Sequence, residues 1–406
     1  MGSNKKVRNA IMIGVLCSVS YLAVYIARNV LSAVTPQMID PVTGVTNEAY
    51  IGTLSALYLA MYAVGQLING VIGDKIKAQY MISFGLLFAG VTNFLFVLMP
   101  GSSWLATVVY GLTGFFLSMI YGPMTKVVAE NTDPIHAMRC SLGYTFSSFF
   151  GSPLAGMLAA VLTWQSVFFA SSAALGVMAV VCFVVFLVFE KKGIVQYGQY
   201  QIEKQSKGGS IGVLIRHRII KFSLISIITG VVRTSVVFWL PTYINQALGY
   251  TPEEAAGMFT VATLAISLSA FLAVFLYERV GRNMDLTILL LFIASAAFFV
   301  AVYFVPHPIV NLVLMVLAII GSNGAASMLW SRYCPSLRDT GMVSGATGFL
   351  DFLSYMAAAA SNIVFANAAG SIGWSNLILV WAALVFCGIL VALPWNKLLH
   401  RTGHAW

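Results

Sequence analysis

The chain has 406 residues, of which 59% are hydrophobic and only 9% charged, with a formal net charge of +9 and a mean hydropathy of +0.89. Soluble globular domains carry roughly 25% charged residues, so this composition excludes a soluble protein and predicts an integral membrane protein. About twelve apolar runs of 18 or more residues follow one another between polar breaks, at 11–36, 50–72, 79–99, 104–126, 140–162, 166–189, 220–245, 254–277, 285–305, 308–329, 342–366 and 375–395. Each can cross a hydrocarbon core of roughly 30 Å. Only helices and closed barrels satisfy their backbone in lipid, and runs of this length predict an all-α membrane protein of twelve transmembrane helices.

The first run, from Tyr21 to Pro36, holds Arg28 well inside it. An arginine stays protonated, and at bilayer depth it costs about 2.5–3.5 kcal/mol even on the mildest insertion scale. An anionic partner is expected. In the second run, Tyr58, Tyr62 and Gln66 fall at i, i+4 and i+8, on one helix face. Gln66 favours a pore-lining stripe over a lipid-facing one. The turn that follows holds Asp74 and Lys75, read as a gating latch and not as substrate ligands. In the middle runs, Gly111/Gly114 and Gly143/Ser147/Gly151 suit close helix packing, with bending points for gating as the alternative. The late triplet Gly341/Gly345/Gly348 is read the same way.

The polar stretch 191–218 is the one long break and predicts a cytoplasmic linker between a six-helix bundle at 1–190 and another at 219–406. The second half opens as the first does. Arg233 lies 205 positions after Arg28, and each is followed eight positions on by a proline, Pro36 and Pro241. Gly44, Thr46, Glu48 and Gly52 match Gly249, Thr251, Glu253 and Gly257 at the same offset, and Glu278, Arg279 and Arg282 form a second acid-base turn, a further gating candidate. A unit used twice in the same direction is a parallel repeat, the arrangement of the two halves of major facilitator transporters. We therefore read Arg28 and Arg233 as a related pair directed at one anion. Binding by helix-break carbonyls or snorkelling to an interface is the competing reading, and it does not predict two matched occurrences. Asn323, Ser327 and Trp330 fall on one face of the tenth run, as a cavity wall or as packing.

The other basic residues fix the topology. With the N-terminus inside, twenty of the twenty-two Lys and Arg residues fall in inside segments and none in the outer loops, leaving Arg28 and Arg233 as the exceptions. The positive-inside rule then places both termini in the cytoplasm, and the distribution argues against a nucleic-acid surface. Cys17, Cys140, Cys182, Cys334 and Cys387 are odd in number and lack metal-ligand spacing, so free thiols, no metal and no cofactor are expected. No P-loop is present, which disfavours an ATP-driven pump, and no enzymatic activity is expected. The chain length and the lack of an outer-loop cysteine pair fit a bacterial inner membrane, and a two-bundle chain needs no partner to form its site, so a monomer is expected.

The Arg28 helix with Tyr21, Tyr25, Asn29 and Pro36, the Arg233 helix running into Trp239-Leu240-Pro241-Thr242-Tyr243, the Gly73-Asp74-Lys75 turn and the stretch from Gly341 to Phe349 resemble the major facilitator superfamily. More narrowly they are similar to its organophosphate:phosphate antiporters, the glycerol-phosphate and hexose-phosphate exchangers. The resemblance implies two arginines, one from each half, that grip the phosphate of a sugar-phosphate or glycerol-phosphate and exchange it for inorganic phosphate. Those roles fall on Arg28 and Arg233. Gln66 stands where the family tends to have a lysine, Ser147 near its histidine, and Asp351 is an added acid, so the set is less positive than the family's. Asp351 has three readings: a partner for an arginine, which would let a monoanion suffice as substrate, a proton carrier, or a solvated group nearer the helix end. Tyr25, Tyr144 and Tyr355 complete the candidate binding set. The alternatives to organophosphate exchange are a proton-coupled transporter of carboxylates or sugar acids, and a membrane sensor that binds an organic anion without moving it.

Overall fold

The computed structural model describes residues 2–40, 42, 45–73, 76–99, 103–197, 211–337 and 343–393. Among these residues every regular element is a helix. The first six are α1 (Gly2–Met38), α2 (Glu48–Gly73), α3 (Ala78–Leu98), α4 (Trp104–Asn131), α5 (Pro134–Val161) and α6 (Trp164–Lys191). A short α7 (Ile211–Arg216) precedes α8 (Ile219–Gln246), α9 (Pro252–Arg279), α10 (Met284–Phe304), α11 (Pro308–Ser336) and α12 (Val343–Ala392). Their starts carry ordinary signals. Ser103 accepts from the Ala106 amide at 3.0 Å, Asn283 accepts from the Leu286 amide at 3.1 Å, and Thr251 with Glu254 closes a reciprocal capping box on α9. Proline stands at the start of α5 and α11, where its missing N–H would have no helical partner anyway.

Ten of these helices are long and apolar enough to cross a membrane, and α5, whose part Ser147–Val161 is a shorter apolar helix, lies over the fifth expected span. The last of the ten is double. At 50 residues, α12 would run about 75 Å as one helix, more than twice a hydrocarbon core. It breaks at Gly373, where φ is 75° and ψ is 165°, a backbone region that residues with a Cβ essentially do not enter. The two arms correspond to the eleventh and twelfth expected spans. The protein is thus an all-α, multi-pass membrane protein of twelve crossings.

The chain forms two compact units. Unit one comprises Met1–Lys204, Phe238–Leu264 and Ala359–Asn367; unit two comprises Gln205–Val237, Ala265–Ala358 and Ala368–Trp406. In unit one α1 packs along α5 and α6, α2 along α4, and α3 along α4 and α6. Small residues make this possible: Gly151 lies against the backbone of Tyr25, Gly114 against that of Tyr58, Gly143 against Ser18 and Gly111 against Leu57. A Cβ at Gly151 would come within 2.8 Å of the Tyr25 carbonyl carbon. Packing is therefore the role of the first two glycine groups. For the third, a Cβ at Gly345 or Gly348 would meet nothing within 4 Å among the described residues, and Gly341 lies outside them. Buried polar pairs add to the packing, with Asn69 donating to Ser118 at 2.8 Å and Asn93 to Ser172 at 3.1 Å.

Unit one also includes parts of α8, α9 and α12. Ser32 donates to the Phe238 carbonyl at 2.7 Å, Gln246 to Glu48 at 2.7 Å, Thr260 to the Pro153 carbonyl at 3.2 Å, and Asn362 to the Ser55 hydroxyl at 2.6 Å. Gly52 and Gly156 let the backbones meet here; a Cβ at Gly52 would lie 2.7 Å from the Asn362 carbonyl oxygen, and one at Gly156 would lie 3.0 Å from that of Ala256. These contacts make the compact units cut across α8, α9 and α12 instead of dividing between α6 and α7. They also separate the matched glycines of the repeat: Gly52 is in tight contact, whereas a Cβ at Gly257 would meet nothing within 4 Å. Of the expected linker, residues 198–210 lie outside the described residues.

Candidate functional site

In unit one Arg28 projects from α1 among tyrosines. Its guanidinium lies 4.8 Å from the centre of the Tyr62 ring and 5.6 Å from that of Tyr25. A cation over an aromatic face gains about 0.5–1 kcal/mol when exposed and about 2 kcal/mol when desolvated, which offsets part of the burial of this charge. Asn29 fixes the Tyr25 turn by donating to its carbonyl at 2.7 Å. The rings continue outward from Arg28. Tyr21 meets Tyr25 edge-on at 5.0 Å, Tyr121 at 5.4 Å and Tyr144 at 6.3 Å, and Tyr58 stacks on Tyr62 at 6.5 Å and on Tyr110 at 5.2 Å. The expected residues Tyr25, Tyr58, Tyr62 and Tyr144 thus share one cluster with Arg28, and Gln66 follows on the same α2 face, half-buried. Tyr21 stood in the sequence reading as a family feature only, and Tyr110 and Tyr121 did not figure in it. The last two lie eleven positions apart, three helical turns on one face of α4, a spacing that could have revealed them. Ser147 is engaged elsewhere, donating to the Ser18 carbonyl at 2.7 Å and the Gly143 carbonyl at 3.0 Å, so its hydroxyl joins α5 to α1.

In unit two Arg233 occupies a wide, π-helical turn, Val231–Val236, inside α8. Such a turn inserts one residue and is frequent at functional sites. The neighbouring α12 shows the effect. Ser226 donates to the Leu350 carbonyl at 2.7 Å, Gly230 fits against the Ser354 backbone at 2.8 Å, and Ser235 donates to the Ala358 carbonyl at 2.8 Å. Along α12 these contacts are spaced four and four residues apart; along α8 they are spaced four and five. The extra residue is taken up in the π turn, so the helices stay in register above and below Arg233. Its guanidinium then faces Asp351 of α12, with Nη2 4.0 Å from Oδ1. It also lies 5.9 Å from the Tyr355 ring centre and 6.0 Å from that of Trp330, which itself sits on a second π turn, Leu329–Tyr333 in α11.

Three of the expected residues of the second half, Trp330, Asp351 and Tyr355, therefore meet at Arg233. The Arg233 and Asp351 side chains keep 33% and 26% of their exposure, while the Nη2 atom between them is itself buried. The Nη2 atom has no hydrogen-bond partner among the described residues. Asp351 thus balances its charge at Coulomb distance without occupying that donor. Farther along α11 Asn323 is half-buried, and Ser327 donates to its carbonyl at 2.9 Å, so the Ser327 hydroxyl belongs to the helix itself. Of the proposed gating residues, Asp74 and Lys75 lie outside the described residues, whereas Glu278, Arg279 and Arg282 are exposed at and just past the end of α9. Arg279 lies over the Phe275 ring at 5.1 Å, and among the described residues no ion pair links Glu278 to either arginine. Those residues also contain no cluster of His, Cys, Asp or Glu able to hold a metal.

A family model described as Major Facilitator Superfamily matches residues 17–361 of the chain. The chain belongs to that superfamily. By family it is a membrane transporter and not an enzyme. The glycerol-3-phosphate transporter of Bacillus subtilis is 21% identical over 97% of this chain and 93% of its own length. The membrane sensor protein UhpC of Salmonella typhimurium is 24% identical over 59% of this chain and 58% of its own length. Among solved structures, an inward-facing bacterial homologue of the human lysosomal transporter Spinster superposes with a TM-score of 0.72, covering 95% of this chain and 96% of its own at 12% identity. The last likeness concerns the fold alone.

Proposed function

We propose that this major facilitator protein exchanges an organophosphate, a glycerol-phosphate or sugar-phosphate, for inorganic phosphate by alternating access, with Arg28 and Arg233 as the two phosphate-gripping residues. The observation that carries this reading is the matched pair of intramembrane arginines, each set among aromatic rings and each the one basic residue of its span that topology leaves unexplained. The arginine fork gives two parallel charge-assisted hydrogen bonds to two oxygens of a phosphate, and a bound anion relieves the repulsion between the two guanidiniums. That relief lowers the barrier to reorientation when substrate is bound, which is the physical basis of obligatory exchange. The kinship with a glycerol-3-phosphate transporter supports the substrate class. Tyr25, Tyr58, Tyr62, Gln66 and Tyr144 in the first half, with Asn323, Trp330, Asp351 and Tyr355 in the second, would line the path. Asp74, Lys75, Glu278, Arg279 and Arg282 would serve its gates. In this reading the halves 1–190 and 219–406 rock about the anion, the termini are cytoplasmic, and the membrane is a bacterial inner membrane.

The test is counterflow in proteoliposomes loaded with phosphate. Wild-type protein should take up labelled glycerol 3-phosphate or a hexose phosphate, and Arg28→Ala or Arg233→Ala should each reduce uptake at least a hundredfold while the protein stays folded. Uptake surviving both substitutions would remove the arginines from the mechanism. A second reading, a sensor that binds an organophosphate without moving it, is favoured by the likeness to a membrane sensor protein. It predicts saturable, arginine-dependent binding with no counterflow.

A further inference from the structure

We infer that the cleft between the starts of α1 and α5 holds one acyl chain of an anionic glycerophospholipid, with its phosphodiester headgroup at Arg8, His136 and Arg139. The site lies wholly within unit one and stands apart from the anion reading above. Its floor is the seam along which the two helices run in the same direction: Gly14 against Cys140, Gly143 against Ser18 and Gly151 against Tyr25 follow in rising order on both. The Cys140 thiol closes this floor by donating to the Ala10 carbonyl at 3.5 Å. Beside the seam the helices leave a cleft of about 450 Å³, within the range of roughly 300–1,000 Å³ that ligand pockets occupy.

The walls are apolar along their length and basic toward one end. On α1, Val7, Ile11, Val15 and Val19 recur at four-residue steps along the cleft, and the last three are exposed. Val19 precedes Arg28 by about two and a half helical turns, so this face of α1 points away from the arginine that the anion reading uses. Arg8, itself exposed, heads the same stripe, since Arg8, Ile11, Val15 and Val19 lie at i, i+3, i+7 and i+11. From Arg8 to Val19 the helix rises about 16 Å, about half of a hydrocarbon core of roughly 30 Å. The cleft therefore has the depth of one leaflet. On α5, His136 and the exposed Arg139 line it beside Cys140. Among the described residues no carboxylate lines this cleft; Glu130 and Asp133 line an adjoining recess that also holds Lys6 and shares only Ala10 and His136 with it.

An apolar cleft that opens on hydrocarbon takes a chain, and its basic end selects the headgroup. A zwitterionic headgroup carries its own cation, which the arginines repel. A headgroup whose only charge is the phosphodiester brings one net negative charge, and each basic side chain near the membrane surface favours it about fivefold.

The experiment is native mass spectrometry of the purified full chain in detergent, titrated with dioleoyl phosphatidylglycerol or dioleoyl phosphatidylcholine. Wild type is compared with Arg8→Gln/Arg139→Gln, Arg8→Lys/Arg139→Lys and Val15→Trp. The first lipid bound by wild type should favour phosphatidylglycerol at least tenfold; the glutamine pair should lose that preference and the lysine pair should keep it. Val15→Trp, which fills the cleft from an exposed position, should weaken phosphatidylglycerol binding at least tenfold. A further test needs no variant to fold: phosphatidylglycerol with a photoreactive group midway along one chain should label wild type within 7–19 or 136–143. Equal binding of the two lipids by wild type overturns the inference, as does a preference that survives the glutamine pair, an unchanged affinity in Val15→Trp, or labelling confined to other segments. Displacement of the lipid by an equal concentration of its soluble headgroup, glycerophosphoglycerol, also overturns it, because the site would then take a free phosphate ester and not a lipid chain.

Discussion

At the scale of single residues, the two arginines are stabilised differently. Arg28 rests against aromatic faces, whereas Arg233 combines such faces with a carboxylate. Aromatic stabilisation depends on the ring and not on the phenol hydroxyl, so Tyr62→Phe should keep anion affinity and Tyr62→Leu should lower it about two- to thirtyfold, the range that a contact of about 0.5–2 kcal/mol spans. Calorimetric titration with the best-binding anion checks this, and equal losses in both variants would show that the hydroxyl matters instead. Arg28, Arg233 and Asp351 were legible in the sequence because ionisable residues inside apolar runs are rare. The pairing of Asp351 with Arg233 was one of three open readings, since more than a hundred residues separate them and only the fold decides which helix faces are shared. Ser147 looked like a ligand by position in its span, yet its hydroxyl serves the α1–α5 contact; the sequence does not tell a polar residue facing a cavity from one facing a neighbouring backbone.

At the scale of the helix, the π turn of α8 is the feature that composition and periodicity did not reveal. Its residues, Val231 to Val236, read as an ordinary stretch of span. The added residue appears only when the serine contacts to α12 are counted on both helices. Gly230 is the point of closest approach, and Gly230→Val should force α8 and α12 apart because a Cβ there would lie 2.8 Å from the Ser354 backbone. Overpacking of this kind costs about 1–3 kcal/mol, and thermal unfolding in detergent should register it. Ser235→Ala removes one hydrogen bond to a buried carbonyl and should cost about 1 kcal/mol. Deleting Val232 is a sharper test of the extra residue: a regular α-helix would shift Arg233 away from Asp351, and anion binding should fall as far as it does in Arg233→Ala. The glycine groups show the same limit of legibility. Gly114 and Gly151 are packed as their small size suggests, while a Cβ at Gly345 or Gly348 would meet nothing within 4 Å among the described residues.

At the scale of the whole molecule, the number of crossings, the helix class and the superfamily were legible, because long apolar runs and intramembrane charge have few alternative explanations. Which segments of the second half would pack with the first was not, since it depends on contacts such as Asn362 to Ser55 and Gly52 to the Asn362 backbone. If transport needs these contacts to open and close, Gly52→Val should abolish counterflow while leaving anion binding within about threefold of wild type, and loss of both together would assign Gly52 a folding role only. The break in α12 bears on which substitutions its turn tolerates. Neither arm can remain straight through Gly373 and still fit one bilayer, so a single non-helical residue joins the two crossings. Its φ of 75° is one that a side chain would oppose, which leaves this turn dependent on one residue type.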